Sequence, residues 1–335
     1  MTSIDVAIPP GAALGWAPIF DLAQVAAKLF DGEIVHYPDV YPGKLQKLWG
    51  LRPRARGTRD RGLMALLYGP ADISKLRESL SFRQDYRFVI AWIIDSFWED
   101  RNVRKMDFGG VDLLCIIRRD EEDYYRRLVG NRVLSLNWGS NVLERGSAQA
   151  ERPIDLQRLG RQPTEWNDDE RSAQVARELG LVFAGRPPEP RDPAANMKEI
   201  ARAFGSAKYL VAHSNLTSIE PNTHKVKEYI TARWTDALAS GCSIAGVQPR
   251  NDSSYRDLFW PGATLDFDRV DLRHNMAAVA EAVSAWTPEQ ARNNYRMSLQ
   301  RLDWRHSLKK IADRMQLSFP ALDAELAEIR RKAVS

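Results

Sequence analysis

An acid, seven residues and a second acid stand at Glu228 and Asp236. The small-residue run Ala237-Leu238-Ala239-Ser240-Gly241 and the apolar stretch Cys242-Ser243-Ile244-Ala245-Gly246 follow directly. A carboxylate accepts two hydroxyl hydrogen bonds at once, which suits the paired hydroxyls of a ribose or a hexose. Read as one helix over 226–240, two residues eight apart lie roughly 80° apart around the axis, so such acids can serve two parts of one ligand. A solvated helix face would use the same spacing. The glycine and the short strand after the second acid favour a site at the end of an α/β unit.

Other polar residues fall where apolar runs end. Ile154-Asp155-Leu156-Gln157-Arg158-Leu159 closes on Gly160 and Arg161. Glycine permits a sharp turn, and a guanidinium projecting from a strand end can clamp a pyrophosphate through two parallel hydrogen bonds. Ala207 to Ala212 leads to His213, Ser214 and Asn215. His213 is read either as a contact to a base or phosphate or as a satisfied structural histidine. Lys225 and Lys227 stand at the start of the predicted helix, whose free N–H groups and dipole would also favour phosphate. In the first half, Gly11 and Gly15 lie between the first strand and the first helix, where glycine lets backbone approach a ligand. Asp95 follows the run Phe88 to Ile94, where a carboxylate could hold ligand hydroxyls or act as a general base; as a base it is the first candidate, with His36 second. Trp138 and Asn141 end the last strand of that half, where an aromatic wall could stack on a sugar.

These positions make sense only if strand ends are gathered together. Apolar runs near 3–8, 33–37, 62–67, 87–94, 111–117 and 132–136 alternate with helical patterns near 17–30, 71–83 and 119–129. A second series of strands, near 154–159, 180–184, 207–212, 243–247 and 263–266, alternates with helices near 169–178, 194–205, 226–240, 274–285, 288–302 and 304–316. A charged amphipathic helix lies near 321–332. Such alternation predicts an α/β fold of two doubly wound, Rossmann-like domains with parallel sheets. The polar stretch Glu144 to Pro153 suggests domains at 1–148 (acceptor-binding) and 149–318 (nucleotide-sugar-binding), then a C-terminal helix at 319–335. Ligands of open α/β sheets sit at the carboxyl ends of the strands, so two such sheets facing a cleft would share one site.

Composition narrows the classes. The chain has 335 residues, 44% hydrophobic and 27% charged, which is a globular balance. Cys115 and Cys242 lie in apolar runs and read as core residues of a reducing compartment. The N-terminus lacks a basic segment followed by a long apolar run, and no membrane-spanning stretch is visible, so a cytoplasmic protein is expected. Net charge is +4, with no nucleic-acid-binding signature. Five arginines between Arg52 and Arg61 form a dense basic loop, compatible with peripheral contact to an anionic inner-membrane face or a polyanionic acceptor. There is no G-x-G-x-x-G fingerprint for a nicotinamide or flavin, no Walker loop and no G-x-S-x-G. The five histidines, at 36, 213, 224, 274 and 306, show no metal-ligand spacing. Asp266-x-Asp268 reads as a strand-end turn. Neither a metal nor a cofactor is expected.

Taken in order, from Arg161 through Glu228 and Asp236 to Trp304-Arg305-His306, the second half resembles that of the GT-B glycosyltransferases. It is most similar to the bacterial family-one/family-four group, including its spore-protein-like relatives. The resemblance implies metal-independent transfer from a nucleotide diphosphate sugar to a glycan, lipid-linked or small-molecule acceptor, as in polysaccharide biosynthesis. It implies that Arg161 binds the donor diphosphate, Glu228 the donor sugar and Asp236 the ribose. His213, Lys225, Lys227 and Thr231 are grouped with them. The second acid is Asp where many members carry Glu, and the glycine-rich loop around the first acid is replaced by Tyr229-Ile230-Thr231. A sugar-nucleotide epimerase of the same fold and a non-catalytic nucleotide-binding scaffold are the alternatives.

Overall fold

The computed structural model describes residues 2–10, 14–37, 39–40, 43, 60–77, 86–101, 106–190, 192–218 and 223–334. The chain divides into two compact units. Unit 1 is Met1–Asn137 with Ser307–Glu325, and unit 2 is Trp138–His306 with Leu326–Ser335.

Unit 1 is built on a six-stranded parallel sheet: β1 (Ser3–Ile8), β2 (Ile34–His36), β3 (Arg61–Leu67), β4 (Phe88–Ile93), β5 (Leu113–Ile116) and β6 (Val133–Ser135). The strand order is β2-β1-β3-β4-β5-β6. β1, β3, β4 and β5 are buried almost throughout, which is why they read as continuous apolar runs and not as alternating ones. Helices α1 (Ala17–Leu29), α2 (Ile73–Arg77) and α3 (Glu122–Val129) connect them. One core layer gathers Leu63, Ala65, Leu67, Ala91, Ile93, Leu114, Ile116 and Tyr125. Arg61, the last arginine of the basic loop, is the first residue of β3. Its Nη1 lies 3.1 Å from the buried Asp5 carboxylate, so it ties the start of β3 to its neighbour β1. Residues 51–59, with the other four arginines, lie outside the described residues.

Unit 2 has a five-stranded parallel sheet: β7 (Ile154–Arg158), β8 (Phe183–Ala184), β9 (Ala207–Val211), β10 (Ser243–Gly246) and β11 (Thr264–Asp266). Its order is β11-β10-β9-β7-β8. The helices are α4 (Val142–Arg145), α5 (Asp169–Glu178), α6 (Pro193–Gly205), α7 (Ala232–Ala239), α8 (Ser254–Leu258), α9 (Leu272–Ser284) and α10 (Pro288–Arg301). α11 (Trp304–Arg314) and α12 (Pro320–Val334) complete the chain. Aspartates open three of them. Asp168, Asp192 and Asp271 each accept from a backbone N–H in the first turn, at 3.0, 2.8 and 2.7 Å.

α7 is shorter than the pattern at 226–240 suggests. Its first residue is Ala232, and the segment around Glu228 is held out of the helix. Glu228 N donates to Asn251 Oδ1 at 2.8 Å, and Asn251 N returns a bond to Glu228 Oε2 at 2.7 Å. This reciprocal pair consumes the backbone group a helix would need. The other end of α7 is fixed by Gly241, at φ +78°. Gly241 N donates to Leu238 O and Cys242 N to Ala237 O, both at 2.9 Å, the double closure that a left-handed C-terminal residue allows. Arg152 then gathers the leftover carbonyls, donating to Phe204 O, Ala207 O and Ser240 O at 2.9, 2.7 and 2.6 Å. The sequence Ala237 to Gly241 is thus a helix stop with its own side-chain lock.

Cys115 and Cys242 are free and buried. No described helix is long and apolar enough to cross a membrane.

Candidate functional site

Each sheet reverses its winding once. In unit 1 the reversal lies between β1 and β3, and in unit 2 between β7 and β9. The crevice outside the carboxyl ends of two such strands is where open α/β sheets take ligands.

In unit 2 that place is occupied by cations. β7 ends at Arg158, and Gly160 follows at φ +72°, a left-handed conformation that swings Arg161 outward into solvent. The Arg161 carbonyl accepts from Nη1 of Arg233 at 3.0 Å. Arg233 lies in the first turn of α7, and Thr231 Oγ1, just before the helix, accepts from its Nε at 3.4 Å. A Cβ on Gly160 would sit 3.3 Å from Arg233 Nη1, so glycine is what lets the turn and the guanidinium approach. Burial, then the positive charge of Arg161, pulls the Arg233 pKa down to about 10, so it remains a cation at neutral pH. Among the described residues, neither arginine has a carboxylate partner.

His213, just past β9, is 4% exposed. Its Nδ1 accepts from Val247 N at 3.1 Å, so the ring proton belongs on Nε2. That Nε2 is buried and, among the described residues, without a hydrogen-bond partner, beside Trp166 and Phe267. Burial, then the charge of Arg233, holds the His213 pKa at about 3. His213 is therefore a neutral donor lying within the field of Arg233.

The acids of the sequence pattern occupy different surroundings. Glu228 is buried, and its Oε1 accepts from Ser214 Oγ while Oε2 accepts from Asn251 N. It ties the end of β9 to the segment before α7. Asp236 is half-buried on α7, one turn beyond Arg233. It lines a groove with Ser140, Arg145, Met197, Ile200 and Phe204. Lys225 is exposed and Lys227 half-buried, on the turn that His224 organises by accepting from Val226 N and Lys227 N. Asp266 accepts from Arg250 at 3.0 Å as a strand-end ion pair. Among the described residues, no three His, Cys, Asp or Glu side chains gather as a metal-ligand set.

Unit 1 presents a different surface at its own reversal. Asp95 follows β4, and its backbone N donates to Tyr68 O, the residue after β3, at 2.8 Å. Its carboxyl makes no hydrogen bond among the described residues, and the residue as a whole is half-buried. Burial, then the nearby Asp72 charge, pushes the pKa up to about 7. That value suits a general base at neutral pH. His36 ends β2, exposed, at the sheet edge. Gly15 is exposed, and a Cβ there would meet no protein atom of the described residues within 4 Å. Gly11 lies outside the described residues.

Trp138 and Asn141 serve packing within unit 2. Trp138 meets Trp304 edge to face at 5.5 Å. Asn141 Oδ1 accepts from Arg305 Nη1 at 2.9 Å, and its Nδ2 donates to Glu144 at 3.1 Å. Arg305 is fully buried and pairs with buried Asp303 at 3.1 Å. Ser140 N donates to Leu302 O and Trp304 N to Ser140 O. The segments by which the chain enters and leaves unit 2 are thereby fastened to each other.

Sequence reading missed Arg233, because an arginine inside a helix reads as solvated surface. The available signal was its place between the two acids.

No protein-family model and no curated protein matches the chain. Solved structures do. HepE (Alr3699) of Anabaena in complex with UDP and glucose aligns at TM-score 0.55 and 8% identity, covering 94% of this chain and 100% of that chain. The same protein with UDP, and with UDP-glucose, aligns at TM-score 0.52 and 9% identity over the same shares. At such identities the likeness speaks to architecture, and together with the two strand orders it assigns the chain the GT-B fold of two Rossmann-like α/β units.

Proposed function

We propose that this protein is a glycosyltransferase that moves a sugar from a nucleoside diphosphate sugar to an acceptor hydroxyl, with the donor held in unit 2. The observation that carries the reading is the Arg161–Arg233 pair at the β7–β9 reversal. Arg233 is bonded to the Arg161 backbone and feels the Arg161 charge, and among the described residues neither cation has a carboxylate partner. A diphosphate between the two guanidiniums would relieve their repulsion while accepting their N–H groups. The first turn of α7 adds free backbone N–H groups and the positive end of its dipole. His213 Nε2–H supplies one neutral donor for a base carbonyl or a phosphate oxygen. The common fold with HepE, which has been captured with UDP and UDP-glucose, agrees with such a ligand.

In the reaction, the acceptor oxygen bonds to the anomeric carbon and the bond from that carbon to the diphosphate oxygen breaks. The electron pair leaves with the diphosphate. Arg161, Arg233 and the helix N–H groups stabilise the developing charge, the task a divalent metal performs elsewhere. Lys225 and Lys227 add to the local positive potential. The acceptor proton passes to the Asp95 carboxylate. Glu228 keeps a lone pair on each oxygen for a sugar hydroxyl, and Asp236 is the candidate for the ribose. A glycan is the favoured acceptor class, and peripheral contact with an anionic membrane through the Arg52–Arg61 loop belongs to the same reading.

The test is UDP release from UDP-glucose and related donors in the presence of EDTA, with and without saccharide acceptors. Acceptor-dependent release that falls on Arg233→Ala is expected. Conversion of the donor without an acceptor would instead indicate an epimerase. Nucleotide binding without turnover of any donor would indicate a scaffold.

A further inference from the structure

The reversal point of unit 1 carries an aromatic pair that no motif in the sequence announces. Trp16 ends the β1–α1 connection and Tyr68 follows β3. Their rings stack with centroids 3.9 Å apart at an interplanar angle of 30°. Both are partly exposed. Asp95 is bonded to the Tyr68 carbonyl through its backbone N–H and stands at the end of the next strand. Behind Tyr68, Lys75 is gripped by Asp39 at 2.7 Å and Asp72 at 2.8 Å.

Among the described residues, three carboxyl groups, Asp39, Asp72 and Asp95, stand here with one ammonium, Lys75, that two of them hold. Carboxylates accept hydroxyl hydrogen bonds, and an aromatic face takes the C–H face of a pyranose ring. Burial, with the charges of Asp39 and Asp72, pushes the Tyr68 hydroxyl up to about 12, so it stays a neutral donor and acceptor.

We infer that Trp16, Tyr68 and Asp95 form a saccharide subsite in unit 1, which binds an uncharged sugar ring of the acceptor against the aromatic pair with a hydroxyl directed at Asp95. This rests on the transferase reading, and it adds that the acceptor is recognised as a carbohydrate at its reacting end. The ring stack gives affinity, and the carboxyl selects the hydroxyl.

The experiment is saturation-transfer NMR of the full chain with UDP present. The probes are methyl glycosides of glucose, galactose, mannose, rhamnose and N-acetylglucosamine, each at millimolar concentration. At least one should bind the wild type. Trp16→Ala should weaken it by about tenfold or more, since an aromatic stacking partner is lost. Tyr68→Leu should do the same if Trp16→Ala fails to fold. UDP-induced thermal stabilisation should be unchanged in both, because that site lies in unit 2. Arg233→Ala should leave saccharide binding intact. Saccharide binding that survives loss of either ring, or no binding by any probe while UDP still stabilises, would overturn the subsite and leave the donor reading standing. Saccharide binding that follows Trp16, with no response to any nucleotide, would support the subsite and sink the donor reading.

Discussion

The two units share one winding scheme and put opposite chemistry at the same point of it. In unit 2 the crevice between β7 and β9 is flanked by Arg161, Arg233 and a neutral His213. In unit 1 the crevice between β1 and β3 is flanked by Trp16, Tyr68 and carboxyl groups. The backbone chooses where a ligand sits, since strand ends and their reversal fix the crevice. A handful of side chains on the following loops chooses what the ligand is. Cations without acidic partners suit a diphosphate, and rings with carboxyls suit an uncharged polyol.

Replacing Asp95, the proposed base, should have the largest effect. Asp95→Asn should lower kcat by roughly 10²–10⁴ while UDP-induced stabilisation is kept. The wild-type rate should rise with pH through about 7, where Asp95 loses its proton, and the variant should lack that limb. The stability consequence has a definite sign. The folded pKa lies above the ordinary 3.8, so the contribution is whole below that pH and is lost as pH rises through about 7. Asp95→Asn should therefore gain stability relative to wild type as pH rises through that window. A pH–rate profile shared by both proteins would remove Asp95 from the chemistry.

A site belonging to neither crevice sharpens the contrast. Arg305→Ala strips the buried Asp303 of its partner and unfastens Asn141. Breaking such a buried pair costs about 3–5 kcal/mol, readable as a lowered denaturation midpoint. Ligand preferences of the folded fraction should not change. A change in nucleotide selectivity would show that Arg305 does more than hold the chain.

The smallest effect concerns His213. Its folded pKa of about 3 lies below the ordinary 6.5, so the unfolded chain takes up the proton first as pH falls. The stability it contributes is whole above pH 6.5 and declines toward pH 3. His213→Phe, which retains a ring beside Trp166 and Phe267, should be less stable at neutral pH, and the gap should narrow on acidification. A gap that stays constant in urea titrations from pH 7 to 4 would show that His213 is not held neutral.

Much of the architecture was legible because buried parallel strands announce themselves as unbroken apolar runs. Phe88 to Ile93 and Ala207 to Val211 fall where the sequence places them. Gly160 and Arg161 were legible as a turn and a projecting cation for the same reason. The helix through Glu228 was not, because the Glu228–Asn251 clamp is a tertiary bond between residues far apart in the chain and overrides helical spacing. Arg233 and the Trp16–Tyr68 stack were missed on similar grounds. Each depends on which strand ends are neighbours, and strand order is a property of the sheet, not of any local window. Trp138 and Asn141 drew notice as strand-end residues, yet their side chains are spent on the Trp304 and Arg305 contacts.

The most direct measurement is thermal stability against UDP, GDP, dTDP, ADP and CMP, without added metal, for the wild type and an Arg161→Ala/Arg233→Ala double variant. A ligand at 100 times its dissociation constant adds about 2.7 kcal/mol, a shift of several degrees. One nucleoside diphosphate should stabilise the wild type, and that shift should vanish in the double variant. An equal shift in both proteins would contradict the assignment of the diphosphate to this arginine pair, and no shift with any nucleotide would contradict the donor site itself.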